Sequence, residues 1–197
     1  MIIKTAGIFI LNQKRELLLG HITRHSKDSF SIMKGCIEST DLCYLDAAKR
    51  ELFEESNIDL SPYSNASYIF LNQVTFRNKR KTLYPYLLLL ERNLDLVDYI
   101  NSVELKCNTY VKSENGDFPE VDGYKWVSLE EAKFIVHESQ VHCIIEIESI
   151  LKEIDNNKNS TETITDDYST WSAICPACGL KSMEVVRVGK VQCIKCV

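Results

Sequence analysis

Residues 2–11 (IIKTAGIFIL) are mostly apolar, and so are residues 16–22 (ELLLGHI) after the polar stretch NQKR. This pattern predicts two strands joined by a turn. FSIMKG at 30–35 predicts a short strand that runs into a glycine turn. Over 42–56, Leu45, Ala48 and Leu52 recur at helical spacing and define one apolar face, with Asp41 placed to cap the helix start. NIDLSPYSNAS then breaks the helix. YIFLNQVTF and TLYPYLLLLE predict two strands joined by the basic turn RNKRK at 77–81. Residues 94–117 are less regular and fit a short helix and a loop. YKWVS at 124–128 predicts a strand. Ser128 and Glu131 give the following LEEAKFIV a capping-box start, and a longer helix covers 137–154. Residues 155–170 (DNNKNSTETITDDYST) form a polar linker with too little apolar surface to pack.

The chain has 197 residues, which fits one ordinary domain with a small appendage, and no internal repeat. Its apolar content of 45% is enough for a core. A net charge of −5 excludes a global pull toward nucleic acid or anionic membrane, though not a local basic patch. No apolar run is long enough to span a bilayer. The first residues lack a basic start and a small-residue cleavage site, so they read as strand rather than leader, and the expected location is the cytoplasm. Cys36, Cys43, Cys107 and Cys143 are isolated and read as small buried hydrophobes. Cys175, Cys178, Cys193 and Cys196 form two C-x-x-C pairs, which in a reducing compartment point to metal rather than to disulfides.

RELFEES at 50–56 poses the chemical question. On a helix Glu51, Glu54 and Glu55 fall on one side within a turn, and like charges so placed repel. Such a face is either solvated, with Lys49 and Arg50 as neighbours, or it holds a hard divalent cation that favours carboxylate oxygens. The segment from Gly35 to Ile58 resembles the signature of the Nudix hydrolases: G, five residues, E, seven residues, then R-E-U-x-E-E-x-G-U, with U a bulky aliphatic. Arg50, Glu51, Leu52, Glu54, Glu55 and Ile58 match its second half, Gly35 matches its first glycine, and KGCIE resembles the common K-G-x-x-E form. FPEVDGYKWVSLEEAKFIVHESQ resembles the stretch found later in that fold. The likeness covers about residues 1–152. Arg50 lies fifteen positions after Gly35, where the signature has fourteen; one residue inserted before the helix leaves Asp41 at the first acidic position. Asn57 replaces the second glycine and suits a left-handed helix end.

The resemblance implies an α/β/α sandwich with a mixed sheet and Mg²⁺- or Mn²⁺-dependent hydrolysis of a pyrophosphate bond in a nucleoside diphosphate derivative. Dinucleoside polyphosphates, ADP-ribose-type compounds, nucleoside triphosphates and capped RNA 5′ ends all remain open as substrates. It makes Glu54 and Glu55 metal ligands, and Glu51 a third ligand or the group that deprotonates water. The Lys34 carbonyl, Glu38, Asp41 and Glu120 (or Asp122) are candidates to complete the set. Arg50 is expected to pin a neighbouring carboxylate, and Gly35 to allow the turn onto the helix. Lys34, Gly35 and Glu38 are candidates to meet substrate, with a solvated lysine as the plain alternative for Lys34. RNKRK reaches a phosphate tail or is simply a soluble hairpin tip. His21 and His25 read as surface histidines, and Trp126, Tyr84 and Tyr86 as packing residues.

In the tail, the two C-x-x-C pairs stand fourteen residues apart, a spacing that suits a tetrahedral four-cysteine zinc site of the ribbon type. The expected organisation is a Nudix domain at 1–154, a linker at 155–170 and a zinc ribbon at 171–197. Lys181, Arg187, Lys190 and Lys195 make RNA or a protein a candidate partner for the ribbon. The alternative function is a catalytically weak Nudix domain that senses nucleotide.

Overall fold

A computed structural model describes residues 2–76 and 80–159, and the backbone of 183–187 and 190–193; side chains at 158 and 159 are not described. The strands are β1 (Ile3–Leu11), β2 (Glu16–Ile22), β3 (Phe30–Ser31), β4 (Lys34–Cys36), β5 (Tyr68–Phe70), β6 (Val74–Thr75), β7 (Lys81–Leu89), β8 (Tyr110–Val111), β9 (Phe118–Pro119) and β10 (Val121–Ser128). The helices are α1 (Tyr44–Ser56), α2 (Leu94–Ser102), α3 (Leu129–Ile135) and α4 (Glu138–Asn159). The main sheet runs in the order β10-β2-β1-β7-β5, with β3 on β2, β4 on β1 and β6 on β7. The β1–β7 pair is parallel and the remaining pairs are antiparallel, so the sheet is mixed as expected.

Period-two alternation sends the two faces of each central strand to different helices. Ala6, Ile8 and Ile10 of β1 pack with Leu18, Leu88, and Leu45, Ala48 and Leu52 of α1. Phe9 and Leu11 pack with Leu17, Leu19, Leu87, and Ile144, Ile147 and Leu151 of α4. The central strands therefore read as continuous apolar runs, buried on both sides. This is the three-layer sandwich. Gly7 lets β4 draw close to β1: a Cβ there would lie 2.6 Å from Lys34 Cβ and 2.8 Å from the Met33 carbonyl.

Several boundaries differ from the sequence pattern. The stretch 68–76 divides into β5 and β6. Asp41 does not cap α1; Cys43 holds the N-cap position without a side-chain bond, and Asp46 in the first turn accepts from the Leu42 N–H at 3.1 Å. The Asp41 carboxylate is drawn instead to Arg50. The Ser128 cap holds, accepting from the Glu131 N–H at 3.1 Å. Helix α4 continues through Asn159, past the expected end at 154, so the linker's first residues are helical. Residues 160–170 lie outside the described residues. Cys107 and Cys143 are buried as expected, but Cys36 is exposed and Cys43 half-buried. In the tail, Met183–Arg187 (β11) pairs antiparallel with Lys190–Cys193 (β12). Among the described residues no helix is long and apolar enough to cross a membrane.

The C-terminal turn of α1 is held from outside. A helix end leaves carbonyls without helical partners. Asn57, at φ 65°, donates its N–H to the Phe53 carbonyl at 2.8 Å. The Asn108 N–H takes the Glu54 carbonyl at 2.7 Å, and the Tyr124 hydroxyl takes that of Glu55 at 2.6 Å. Asn57 thus fills the place of a glycine. Asn57→Ala puts a poorly suited residue at a positive φ and should cost about 1–2 kcal/mol, a fall of about 2–8 °C in melting temperature. Asn57→Gly should cost less, and thermal unfolding of the two variants checks the order.

Candidate active site

Helix α1 carries its acids toward the sheet. Glu51 and Glu55 are 8% and 6% exposed, deep burial for carboxylates, while Glu54 is half-buried. Gly35 makes room for the first of them: a Cβ on Gly35 would coincide with the Glu51 carboxylate. The Lys34 N–H donates to Glu55 Oε2 at 2.8 Å. Strand β4 and helix α1 therefore meet at a glycine and two glutamates.

Arg50 organises the cluster. Its Nε and Nη2 grip Asp41 at 2.9 and 3.0 Å, in a bidentate pair. Nη1 reaches Glu51 Oε1 at 2.8 Å and Glu54 Oε2 at 3.0 Å. Nη2 also donates to the Cys36 carbonyl at 2.8 Å. These bonds match the five donors a guanidinium has. Glu38 stands at the edge, 4.0 Å from Nη1. The pairing of Asp41 with Arg50 supports the extra residue in the preceding loop, where Leu42 is 87% exposed.

The electrostatics follow from burial. Desolvation pushes the Glu55 carboxyl up to about 8, against the attraction of Lys34 and with repulsion from Glu51 and Glu120. Glu51 is pushed up to about 7 by burial, opposed by Arg50 and reinforced by Glu54 and Glu120. Burial also acts to raise Asp41, but the bonds from Arg50 and the Glu38 N–H hold it below its usual range. The Arg50 guanidinium is held firmly charged by Asp41 and Glu51.

Glu120 acts on both buried glutamates. Asp122, the other candidate from that loop, turns to His21 at 2.5 Å instead. Trp126 packs partly buried against the core, as expected. Among the described residues no three His, Cys, Asp or Glu side chains are grouped as a ready metal cage. The donors nonetheless suit a divalent cation. Asp41, Glu51 and Glu54 share one arginine, so when ionised they leave a charge deficit, and all their free donors are the oxygens Mg²⁺ prefers. Residues 77–79 of the basic turn lie outside the described residues, as do Cys175, Cys178 and Cys196; Cys193 is described only as backbone of β12.

A cavity of about 360 Å³ opens beside the acids. Its lining includes Lys34, Glu55 and Glu120 together with Arg24, His25 and Phe118. Sequence reasoning did not single out Arg24 or Phe118. A second cavity of about 410 Å³, around Tyr63, Asn65 and Arg92, includes none of the signature residues.

A mixed sheet between helices, with a glycine turn set against helix-borne glutamates, is the arrangement that the sequence resemblance implies. A sequence model of the NUDIX domain matches residues 1–144. The chain belongs to the NUDIX family. An uncharacterized 17.7 kDa protein of Enterobacteria phage T4 is 26% identical over 142 residues, covering 67% of this chain and 86% of that protein. The fold is similar to a C. elegans Ap4A hydrolase (TM-score 0.50, 17% identity, 76% of this chain and 98% of that one). It is also similar to a bifunctional NMN adenylyltransferase/ADP ribose pyrophosphatase of Francisella tularensis, complexed with AMP and a Mn ion (TM-score 0.52, 20% identity, 78% and 42%).

The two raised carboxyls give a pH prediction. Their folded values lie above the ordinary 4.5, so the folded chain binds more protons than the unfolded one between about 4.5 and 8. Their contribution to stability is complete below pH 4.5 and is lost as pH rises through about 8. In EDTA the melting temperature should fall across this range. Glu55→Gln should flatten the fall, and Mg²⁺ should raise the wild-type melting temperature more at pH 8.5 than at pH 5.5. Thermal melts with and without Mg²⁺ check all three.

Proposed function

We propose that this protein hydrolyses the pyrophosphate bond of a nucleoside diphosphate derivative in a Mg²⁺- or Mn²⁺-dependent reaction. The chain is a pyrophosphohydrolase of the NUDIX family, and the proposal adds its metal, its substrate class and its residue roles. The observation that carries it is the burial of Glu51 and Glu55 against β4 while Arg50 locks Glu51 and Glu54. Such burial of acids that repel one another is costly in their ionised form, and a cation or a proton relieves it.

Glu54, Glu55 and the Lys34 carbonyl would hold the metal ion, with Glu120 as the acid from the facing loop. When bound, the ion neutralises phosphate charge and lowers the pKa of a coordinated water. Arg50 binds Glu51 through Oε1. The second oxygen is assigned to the attacking water, whose proton it takes as the water oxygen bonds to phosphorus and the bridging P–O bond breaks. Asp41 touches no substrate in this scheme and positions Arg50, while Lys34 lines the cavity and Glu38 stands at the edge of the Arg50 cluster. The Ap4A hydrolase and ADP ribose pyrophosphatase folds make dinucleoside polyphosphates and ADP-ribose the first compounds to test, with capped RNA 5′ ends next. Release of phosphate-bearing products with Mg²⁺ should occur on at least one of them. Glu55→Gln and Glu54→Gln should lower kcat by about a hundredfold or more. Nucleotide binding without turnover on any substrate would instead favour a sensor.

The four tail cysteines are proposed to hold one structural Zn²⁺, on the strength of their spacing. A ribbon of this kind with Lys181, Arg187, Lys190 and Lys195 would give RNA or a protein a cationic surface. Elemental analysis of the full chain should find one zinc per chain, lost in Cys175→Ser. A zinc-free wild type would return the pairs to redox chemistry.

A further inference from the structure

We infer that Arg24 and Phe118 form a platform on which the substrate's nucleobase stacks, which makes them the specificity-determining pair of the cavity. The inference rests on the cavity being the substrate site and names the part of the substrate that site selects. The Arg24 guanidinium lies over the Phe118 ring, 3.7 Å from its centroid. Both residues line the cavity that Glu55 and Glu120 also line. The one cavity therefore brings Lys34, Glu55 and Glu120 together with the apolar Ile22, Val111 and Val121 and with a cation–aromatic pair. A guanidinium plane and an aromatic ring are the two side-chain surfaces on which bases stack. The volume lies near the lower limit for cavities that enclose a small ligand, so it suits one nucleoside rather than two.

Further observations agree. Arg24 has a φ of 62°, in the left-handed region where glycine or asparagine is at ease. A long charged residue kept there points to use of its side chain. Arg24 Nη1 reaches Ser113 Oγ at 3.4 Å, in the turn between β8 and β9, and so fixes the guanidinium above the strand that carries Phe118. Thr23, beside it, also lines the cavity, and its buried hydroxyl has no hydrogen-bond partner among the described residues.

AMP and ribose 5-phosphate differ only in the base, and their binding can be read by calorimetry without any turnover. With Mg²⁺ present, the wild-type chain should bind AMP about tenfold or more tightly than ribose 5-phosphate. Arg24→Lys keeps the charge and loses the plane; Phe118→Leu keeps apolar bulk and loses the ring. Each should bring the two affinities together by weakening AMP and leaving ribose 5-phosphate unchanged. Equal wild-type affinities, or no binding of AMP, would overturn the platform. So would a preference for AMP that survives both variants, or an Arg24→Lys variant that weakens both ligands alike, since that assigns Arg24 to phosphate. Base-selective binding by a chain that hydrolyses nothing would uphold the platform and overturn the hydrolase reading, so the two failures are distinct.

Discussion

The bonds of Arg50 are the constraint on which the site depends. One guanidinium joins the loop before α1 through Asp41, strand β4 through the Cys36 carbonyl, and the helix itself through Glu51 and Glu54. Three segments that differ in geometry are thereby fixed to a single planar group. A lysine cannot replace it, because an ammonium has neither the fork nor the number of donors. Gly35 completes the arrangement by leaving the space that Glu51 fills. The loop, the strand and the helix thus form one unit, and none of the three acids can move without breaking a charge-assisted bond.

The same unit is anchored at the other end of α1. Asn57, Asn108 and Tyr124 take the carbonyls of three successive residues in the last turn. Tyr124 belongs to β10 and Asn108 to the segment before β8, so the sheet edge and a distant loop set where the helix stops. Glu54 and Glu55 sit in that last turn. Their placement thus depends on contacts from residues more than fifty positions away in the chain. The Lys34 N–H bond to Glu55 adds a fourth link, from the sheet interior.

Much of the fold could be read from the chain because its signals are local. The apolar runs of β1, β2 and β7, the apolar face of α1 and the Ser128 cap each depend on neighbours in sequence. Asn57 could be recognised because only a few residues accept its backbone conformation. What could not be read depends on competition between partners. Asp41 has the right chemistry for a helix cap, yet a half-buried arginine is the stronger partner. Asp122 and Glu120 are equivalent in sequence, and only the path of β10 sends one to His21 and leaves the other facing the glutamates. The end of α4 was set too early because polar composition alone does not stop a helix whose earlier turns are packed. Arg24 and Phe118 are 94 positions apart, and no periodicity joins them.

The pairing of Asp41 with Arg50 has a consequence for how such sites vary over time. The distance that matters between the glycine turn and the helix is one measured in space, from carboxylate to guanidinium, and not a count of residues. A side chain as exposed as Leu42 shows that the connecting loop can bulge outward while both ends stay in place. A change in loop length there leaves the ion pair intact so long as both its ends stay in place. A signature written with fixed spacing would therefore pass over this chain, although the charge pair it looks for is present.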